Sequence, residues 1–190
     1  MVKNYNEVLY KNERIETERL ILRKAQEGDA ADLLEYASDP EVVETLMWGG
    51  LTTIEEARSS IFDYYWASPG KWLIEHKATG KMIGGIDLQL KHSHDKVTFG
   101  YVLNKRFWGK GYMSEAFKAV LDLCFGQLEV NRAEARHYTN NPASGRVMEK
   151  AGMVREGMAL QGERVKGEFR DVIFYGITKE MWRRNMDEAL

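Results

Sequence analysis

Apolar and polar residues alternate through Arg19-Leu20-Ile21-Leu22-Arg23, so Leu20 and Leu22 share a face and the spacing predicts a strand entering a core. The period then changes. Ala30, Leu33, Leu34 and Ala37 recur at helical spacing behind Asp29, which suits an N-cap. Asp39-Pro40-Glu41 repeats the start signal, a capping carboxylate before a proline at the first helical position, with Val42, Val43, Leu46 and Met47 as its apolar stripe. Thr53 opens a third helix carrying Ile54, Ala57, Ile61 and Tyr65.

The middle of the chain returns to period two. Trp72 to Glu75 predicts a short strand, Ala78-Thr79-Gly80-Lys81 a turn, and Ile86, Leu88 and Leu90 alternate with Asp87 and Gln89. Gly84-Gly85 inside that second run suggests a bulge or a close backbone approach. A polar turn at His92–Lys96 leads to Val97, Phe99, Tyr101 and Leu103 on one face of a third strand, so the stretch reads as an antiparallel meander. Met113, Ala116, Phe117, Val120, Leu121 and Cys124 then mark an amphipathic helix with Glu115, Lys118 and Asp122 opposite. Asn131–Tyr138 alternates again, which makes a strand-helix-strand unit. Asn141-Pro142 restarts a helix that buries Val147, Met148 and Ala151 and stops at Gly152. Strands near Val154–Ala159 and Val172–Thr178 close the series, and the fold class is α+β, or mixed α/β, with helices packed on a mixed sheet.

Composition narrows the function classes. The 190 residues hold three prolines and no repeat or low-complexity tract, which predicts one domain over residues 1–190. Lys and Arg number 27 against 29 Asp and Glu, a net charge of −2, so neither general nucleic-acid binding nor adhesion to an anionic membrane is expected. Met1–Leu9 lacks the apolar core of a signal peptide, and no apolar run approaches the roughly 20 residues of a spanning helix. Cys124 alone cannot form an intramolecular disulfide, which fits a reducing, cytoplasmic setting. His92-Ser93-His94-Asp95 lacks a further ligand cluster and reads as a solvated turn, so no metal is expected.

The chemistry concentrates where a strand ends at Tyr101-Val102-Leu103 and a helix begins after Arg106-Phe107-Trp108-Gly109-Lys110-Gly111. Glycines at such a junction let backbone N–H groups approach an anion, and the helix adds its positive N-terminal dipole. Arg106 and Lys110 contribute cations and Ser114 a hydroxyl in the first turn. The same glycines also suit a plain surface turn. The spacing fits neither the Gly-Lys-Ser/Thr ending of a Walker A loop nor the third glycine of the dinucleotide fingerprint.

Arg106, Gly109 and Gly111 instead match the Arg/Gln-x-x-Gly-x-Gly/Ala signature of the GNAT superfamily of acyl-CoA-dependent N-acyltransferases, which this chain resembles. Asn141-Pro142-Ala143-Ser144, the helix ending Glu149-Lys150-Ala151-Gly152-Met153, and Glu156-Gly157 resemble the second GNAT signature, with Met153 where phenylalanine is usual. Together with Glu18–Arg23 and Asn131-Arg132, the pattern is similar to the ribosomal-protein alanine and serine N-acetyltransferase subgroup, over roughly Thr17 to Trp182.

The resemblance implies a three-layer domain whose central, mostly antiparallel twisted sheet opens a notch between two parallel strands for acetyl-CoA. It places the pantetheine arm against the backbone of Tyr101, Val102 and Leu103, with one N–H polarising the thioester carbonyl. The pyrophosphate falls on Arg106, Trp108, Gly109, Lys110, Gly111, Tyr112 and Ser114, and Asn141 bonds the pantetheine arm. Acetyl-CoA is then a co-substrate, an amine attacks the thioester directly, and Ser144 occupies the position of the proton donor to the leaving thiolate. Ser144 also suits a helix-start serine that satisfies backbone groups.

Many family members carry a glutamate as base where this chain has Thr98, before Phe99-Gly100-Tyr101. In the ribosomal-protein subgroup a later glutamate serves, and counting from Glu156-Gly157 lands on Glu163, with Glu156 and Asp171 behind it and Asp171 of structural character. Glu163 reads equally as a solvated charge. Trp48, Trp66 and Trp72 with Tyr64 and Tyr65 fall where the family forms its acceptor groove, although the spacing of Tyr65 and Trp66 also suits core packing. The acceptor is a protein N-terminal α-amine or a small-molecule amine such as a polyamine, amino acid or antibiotic. Thr98 also admits a CoA-binding sensor with weak turnover, and both monomers and homodimers occur in the family.

Overall fold

The computed structural model describes residues 4–188 and divides into two compact units. The first comprises residues up to Asp87 together with Gly100–Ala116. It contains helix α1 (Tyr5–Lys11), strands β1 (Arg14–Glu16) and β2 (Leu20–Arg23), helices α2 (Ala30–Ala37), α3 (Pro40–Glu44) and α4 (Ile54–Ser60), and strand β3 (Lys71–His76). It also takes the first part of β4 (Lys81–Lys91) and the last part of β5 (Lys96–Leu103). The β1/β2, β2/β3 and β3/β4 ladders are antiparallel. Leu20 and Leu22 are fully buried, as their alternation predicts.

Local chemistry accounts for the helix starts. Asp39 accepts from the Glu41 N–H at 2.9 Å, and Thr53 and Glu56 form a reciprocal capping box at α4. Asp29 precedes α2 but does not cap it with its side chain. That carboxylate accepts from the Gln26 N–H at 2.7 Å and pairs in a fork with Arg23 Nη1 and Nη2 at 2.8 Å each. Beyond Ser60 the helix widens into a π turn over Ile61–Tyr65, where the Trp66 N–H reaches back five residues to the Ile61 carbonyl at 3.0 Å. Leu33, Tyr36, Ala37, Val42, Ala57, Ile61, Leu73 and Met82 pack into one core, with Tyr65 and Val102 partly buried against it.

The bulge expected at Gly84-Gly85 lies one residue earlier. Ile74 pairs with Gly84 and Glu75 with Met82, leaving Ile83 as the extra residue. Gly84 meets the close approach instead, because a Cβ there would collide with the Val102 carbonyl oxygen and lie 3.0 Å from the Leu103 Cα.

The second unit joins Leu88–Phe99 to the residues from Phe117 onward. Its elements are the rest of β4 and β5, most of helix α5 (Tyr112–Gly126), strand β6 (Arg132–Tyr138), helix α6 (Pro142–Lys150), strands β7 (Val154–Val165) and β8 (Glu168–Thr178), and helix α7 (Lys179–Asp187). The β5/β6 ladder is parallel, as a strand-helix-strand unit requires, and joins Lys96–Thr98 to Arg132–Glu134. β6 and β7 both pair antiparallel with β8. The fold is mixed α/β, and the described residues form eight strands in the order β1-β2-β3-β4-β5-β6-β8-β7.

The last two strands are longer than predicted. They form one hairpin turned at Lys166-Gly167, whose φ values of 50° and 88° suit a tight turn. β7 bulges between Ala159 and Glu163, where Gln161 has a φ of 51° and donates its N–H to Asp171 at 2.8 Å. Trp182 of α7 stacks on Phe125 and donates to Asp122 at 2.8 Å. Met113, Ala116, Phe117, Val120, Leu121 and Cys124 of α5 are all buried, and burial pushes the Cys124 thiol well up, so it packs rather than reacts. Among the described residues, no helix is long and apolar enough to cross a membrane.

Candidate active site

In the first unit, β5 ends in a turn held from three sides. The Asn104 side chain is buried, accepts from the Arg106 N–H at 3.0 Å and donates to Glu35 Oε1 at 3.0 Å. Lys105 pairs with Glu41, and the Trp108 indole donates to the Leu103 carbonyl at 2.7 Å. Trp108 therefore braces the end of the strand.

Gly109 and Gly111 follow with φ values of +74° and +81°, a conformation that side chains with a Cβ rarely adopt. Among the described residues, the amides of Gly109, Lys110 and Gly111 have no hydrogen-bond acceptor, and α5 begins at Tyr112. A run of unpartnered N–H groups at the head of a 15-residue helix is what an anion needs. Arg106 is 76% exposed with its guanidinium 3.6 Å from Glu35. Lys110 Nζ donates to the Arg106 carbonyl at 3.0 Å, which folds the loop over itself. Ser114 is half-buried in the first helical turn.

Glu115 fixes this loop from the polar side of α5. It accepts from the Thr17 hydroxyl at 2.6 Å, the Arg19 N–H at 2.8 Å and Arg19 Nε at 2.7 Å, while Arg19 Nη1 donates to the Lys110 carbonyl at 3.0 Å. Partial burial opposes ionisation of Glu115, but these bonds prevail and hold its carboxyl below the ordinary range. The Arg19 guanidinium lies 4.5 Å from the Tyr112 ring centre, and Tyr112 meets His76 edge-on at 5.0 Å. The sequence marked Glu115 only as a polar-face residue.

The aromatic group proposed for the acceptor divides. Trp72 is buried and donates its indole N–H to Asn12, so it belongs to the core. Tyr65 is also packed inward, whereas Trp48, Trp66 and Tyr64 are about 40% exposed. Trp66 donates to the Ala25 carbonyl at 2.8 Å and packs edge-on against Phe62. Beside Tyr64 stands Asp87, on the face of β4 that alternation makes the polar one. Desolvation raises its carboxyl above the ordinary range despite the opposing influence of the Tyr64 hydroxyl and Lys71. Desolvation likewise lowers Lys71, whose Nζ donates to the Tyr64 carbonyl at 2.6 Å.

In the second unit, Asn141 Oδ1 accepts from the Ser144 N–H at 3.2 Å and so caps α6, which places Ser144 in the first turn. The carbonyl of Asn141 is thus committed locally, and its amide is the group left for a ligand. Glu163 is 24% exposed, with Oε1 2.5 Å from Arg136 Nε and Oε2 accepting from the Tyr138 hydroxyl at 2.9 Å. Its two oxygens are therefore each engaged by a neighbour rather than left in open solvent. Glu156 pairs with Arg132, and Asp171 receives the Gln161 amide in the β7 bulge.

Known proteins with this pattern agree on a class. The family described as "Acetyltransferase (GNAT) domain" matches residues 19–154. An uncharacterized N-acetyltransferase of Bacillus licheniformis, p20, is 31% identical over 172 residues, covering 88% of this chain and 97% of p20. The crystal structure of a GNAT-family acetyltransferase from Bacillus anthracis superposes with a TM-score of 0.81 at 29% identity, over 88% of this chain and 99% of that one. The [ribosomal protein uS5]-alanine N-acetyltransferase of Escherichia coli is 28% identical over 83 residues, 44% of this chain and 43% of that protein.

Proposed function

Because the chain belongs to the GNAT acetyltransferase family, we propose that it moves the acetyl group of acetyl-CoA directly onto a primary amine, with a protein N-terminal α-amine as the first acceptor to test. The observation that carries the reading is the Gly109–Gly111 turn, whose unpartnered amides head α5 and suit a pyrophosphate. Arg106 and Lys110 add charge to that cradle, and the amides of Tyr101 to Leu103 serve the pantetheine arm and the thioester carbonyl. The Asn141 amide contributes a further bond to that arm. We take residues 1–190 as one acetyltransferase domain, supported by a family match that runs across both units.

In this reading Ser144 gives a proton to the departing thiolate, and Glu163 is the carboxylate that the subgroup pattern nominates as base. An α-amine, with an ordinary pKa of about 8, loses its proton near neutrality far more readily than a lysine at about 10.4. That difference, with the partial likeness to the uS5-alanine enzyme, supports an N-terminal acceptor over a lysine side chain.

Calorimetry with acetyl-CoA and a free-thiol assay over an amine panel test the reading together. The panel holds peptides beginning with alanine or serine, polyamines, amino acids and aminated antibiotics. Wild type is expected to bind acetyl-CoA and release thiol with the peptides, and Gly109→Trp to lose binding. Turnover confined to small amines moves the acceptor to that class. Tight binding with no thiol release across the panel identifies a CoA sensor, the reading that Thr98 admits, and unchanged affinity in Gly109→Trp overturns the cradle.

A further inference from the structure

Asp87 is a largely desolvated carboxylate of the first unit. It stands on β4 facing Gly100 of β5, where a Cβ on Gly100 would sit 2.8 Å from Asp87 Oδ2. The missing side chain of Gly100 is thus the space the Asp87 carboxylate occupies, against the strand whose next residue is Tyr101. Among the described residues Asp87 makes no ion pair. Lys71, its cross-strand partner, instead turns its Nζ to the Tyr64 carbonyl and lies 3.9 Å from the Tyr64 ring centre.

We propose that Asp87 is the group that takes the proton from the acceptor ammonium beside the cofactor strand, a role that rests on the acetyltransferase reading and that the sequence pattern assigned to Glu163. The groups facing it from the packed elements are Tyr64 and Tyr65 of the π turn and Lys71 of β3. Desolvation raises the Asp87 carboxyl, which narrows the gap to an amine and makes proton transfer less uphill. Glu163, by contrast, is already bound by Arg136 and Tyr138. A shielded carboxylate beside Tyr64 also attracts a cation, so the same group selects for an amine presented as ammonium.

The step balances without a further reactant. An N–H bond of the ammonium breaks and its proton passes to an Asp87 oxygen. The freed lone pair attacks the thioester carbon, an N–C bond forms, and the C–S bond breaks. The second amine proton passes to the departing thiolate, and Asp87 releases its proton to solvent.

The experiment compares wild type, Asp87→Asn and Asp87→Glu in acetyl-CoA calorimetry and in kcat/KM across pH with the best amine of the panel. Asp87→Asn is expected to bind acetyl-CoA within about twofold of wild type and to lose about 100-fold in kcat/KM at neutral pH. The deficit should shrink as pH approaches the amine's own pKa, where no base is needed, and Asp87→Glu should regain part of the rate. An Asp87→Asn enzyme with the wild-type rate and profile overturns the assignment, as does one whose cofactor affinity falls in step with its rate. A wild type that acetylates no amine overturns the acetyltransferase reading, and this assignment with it.

Discussion

Arg19 and Glu115, 96 residues apart in sequence, are joined twice, from the Arg19 backbone N–H at 2.8 Å and from its Nε at 2.7 Å. The pair ties the entry of β2 to the first turn of α5 and, through Arg19 Nη1, to the carbonyl of Lys110 in the glycine turn. An ion pair beside β2 thereby becomes a brace for the anion cradle.

Glu115→Gln removes the charge but keeps the shape. With Arg19 40% exposed and Glu115 17%, solvent screens the pair, and the expected loss is about 1 kcal/mol, read as a fall in Tm. Because folding lowers the Glu115 carboxyl, its stabilisation is complete above the unfolded value of about 4.3 and disappears as pH falls through the lower folded value. The Tm curves of wild type and variant should therefore lie apart at neutral pH and converge in acid. Acetyl-CoA affinity should weaken several-fold at neutral pH.

Substitution at Gly109 separates conformational strain from steric blockade. Nothing lies within 4 Å of a Cβ there, so Gly109→Ala meets no neighbour and only the positive φ opposes it, by about 1 kcal/mol. Gly109→Asn should restore part of that loss, since asparagine tolerates the left-handed region. Denaturant melts with and without acetyl-CoA measure both effects. Equal stability of the alanine and glycine proteins would show that the turn does not need the positive φ.

Gly84→Ala should be far more damaging than any change in the loop. Its Cβ would strike backbone, the Val102 carbonyl and the Leu103 Cα, and backbone cannot rotate aside as a side chain can. A loss of about 3 kcal/mol or more is expected from such overpacking. Chemical denaturation gives the number, and a variant within about 0.5 kcal/mol of wild type would mean that the two strands separate easily there.

Glu163→Gln tests the carboxylate that the subgroup pattern nominates. Neutralising it leaves Arg136 without this partner and the Tyr138 hydroxyl with a weaker acceptor, so Tm should fall. With Asp87 as proton acceptor, the acidic limb of the kcat/KM profile should stay at its wild-type position in this variant. A displaced limb would return the base to Glu163.

The periodic parts of the fold were open to reading because burial imposes a period. Leu20 and Leu22 face inward from a strand, and Met113 to Cys124 from a helix, with almost no exception. The glycine loop was readable for another reason, since only particular residue types tolerate its backbone. α1 and β1 escaped notice because each is short: α1 commits one residue, Leu9, to full burial, and β1 none. The outer lengths of β7 and β8 escaped because both faces are largely exposed and leave no alternation to detect. The desolvation of Asp87 left no signal in the sequence because alternation says which face a side chain takes and not whether that face is wet. Glu115 departs from its polar-face reading because Thr17 and Arg19, almost a hundred residues away, claim its carboxylate, and Asp29 departs from its N-cap reading because Arg23 and the Gln26 amide, a few residues upstream, claim it first.

The π turn at Ile61–Tyr65 makes the length of that helix a functional quantity. Its extra residue lets adjacent tyrosines serve opposite needs, with Tyr65 in the core and Tyr64 toward Asp87. Deleting one residue from Phe62–Tyr64 would let the chain rewind as an ordinary helix at little loss of hydrogen bonding, yet would rotate the remainder of the turn by about 100°. Natural variation along this stretch should therefore proceed by exchange of side chains, with insertions and deletions confined to the loops on either side.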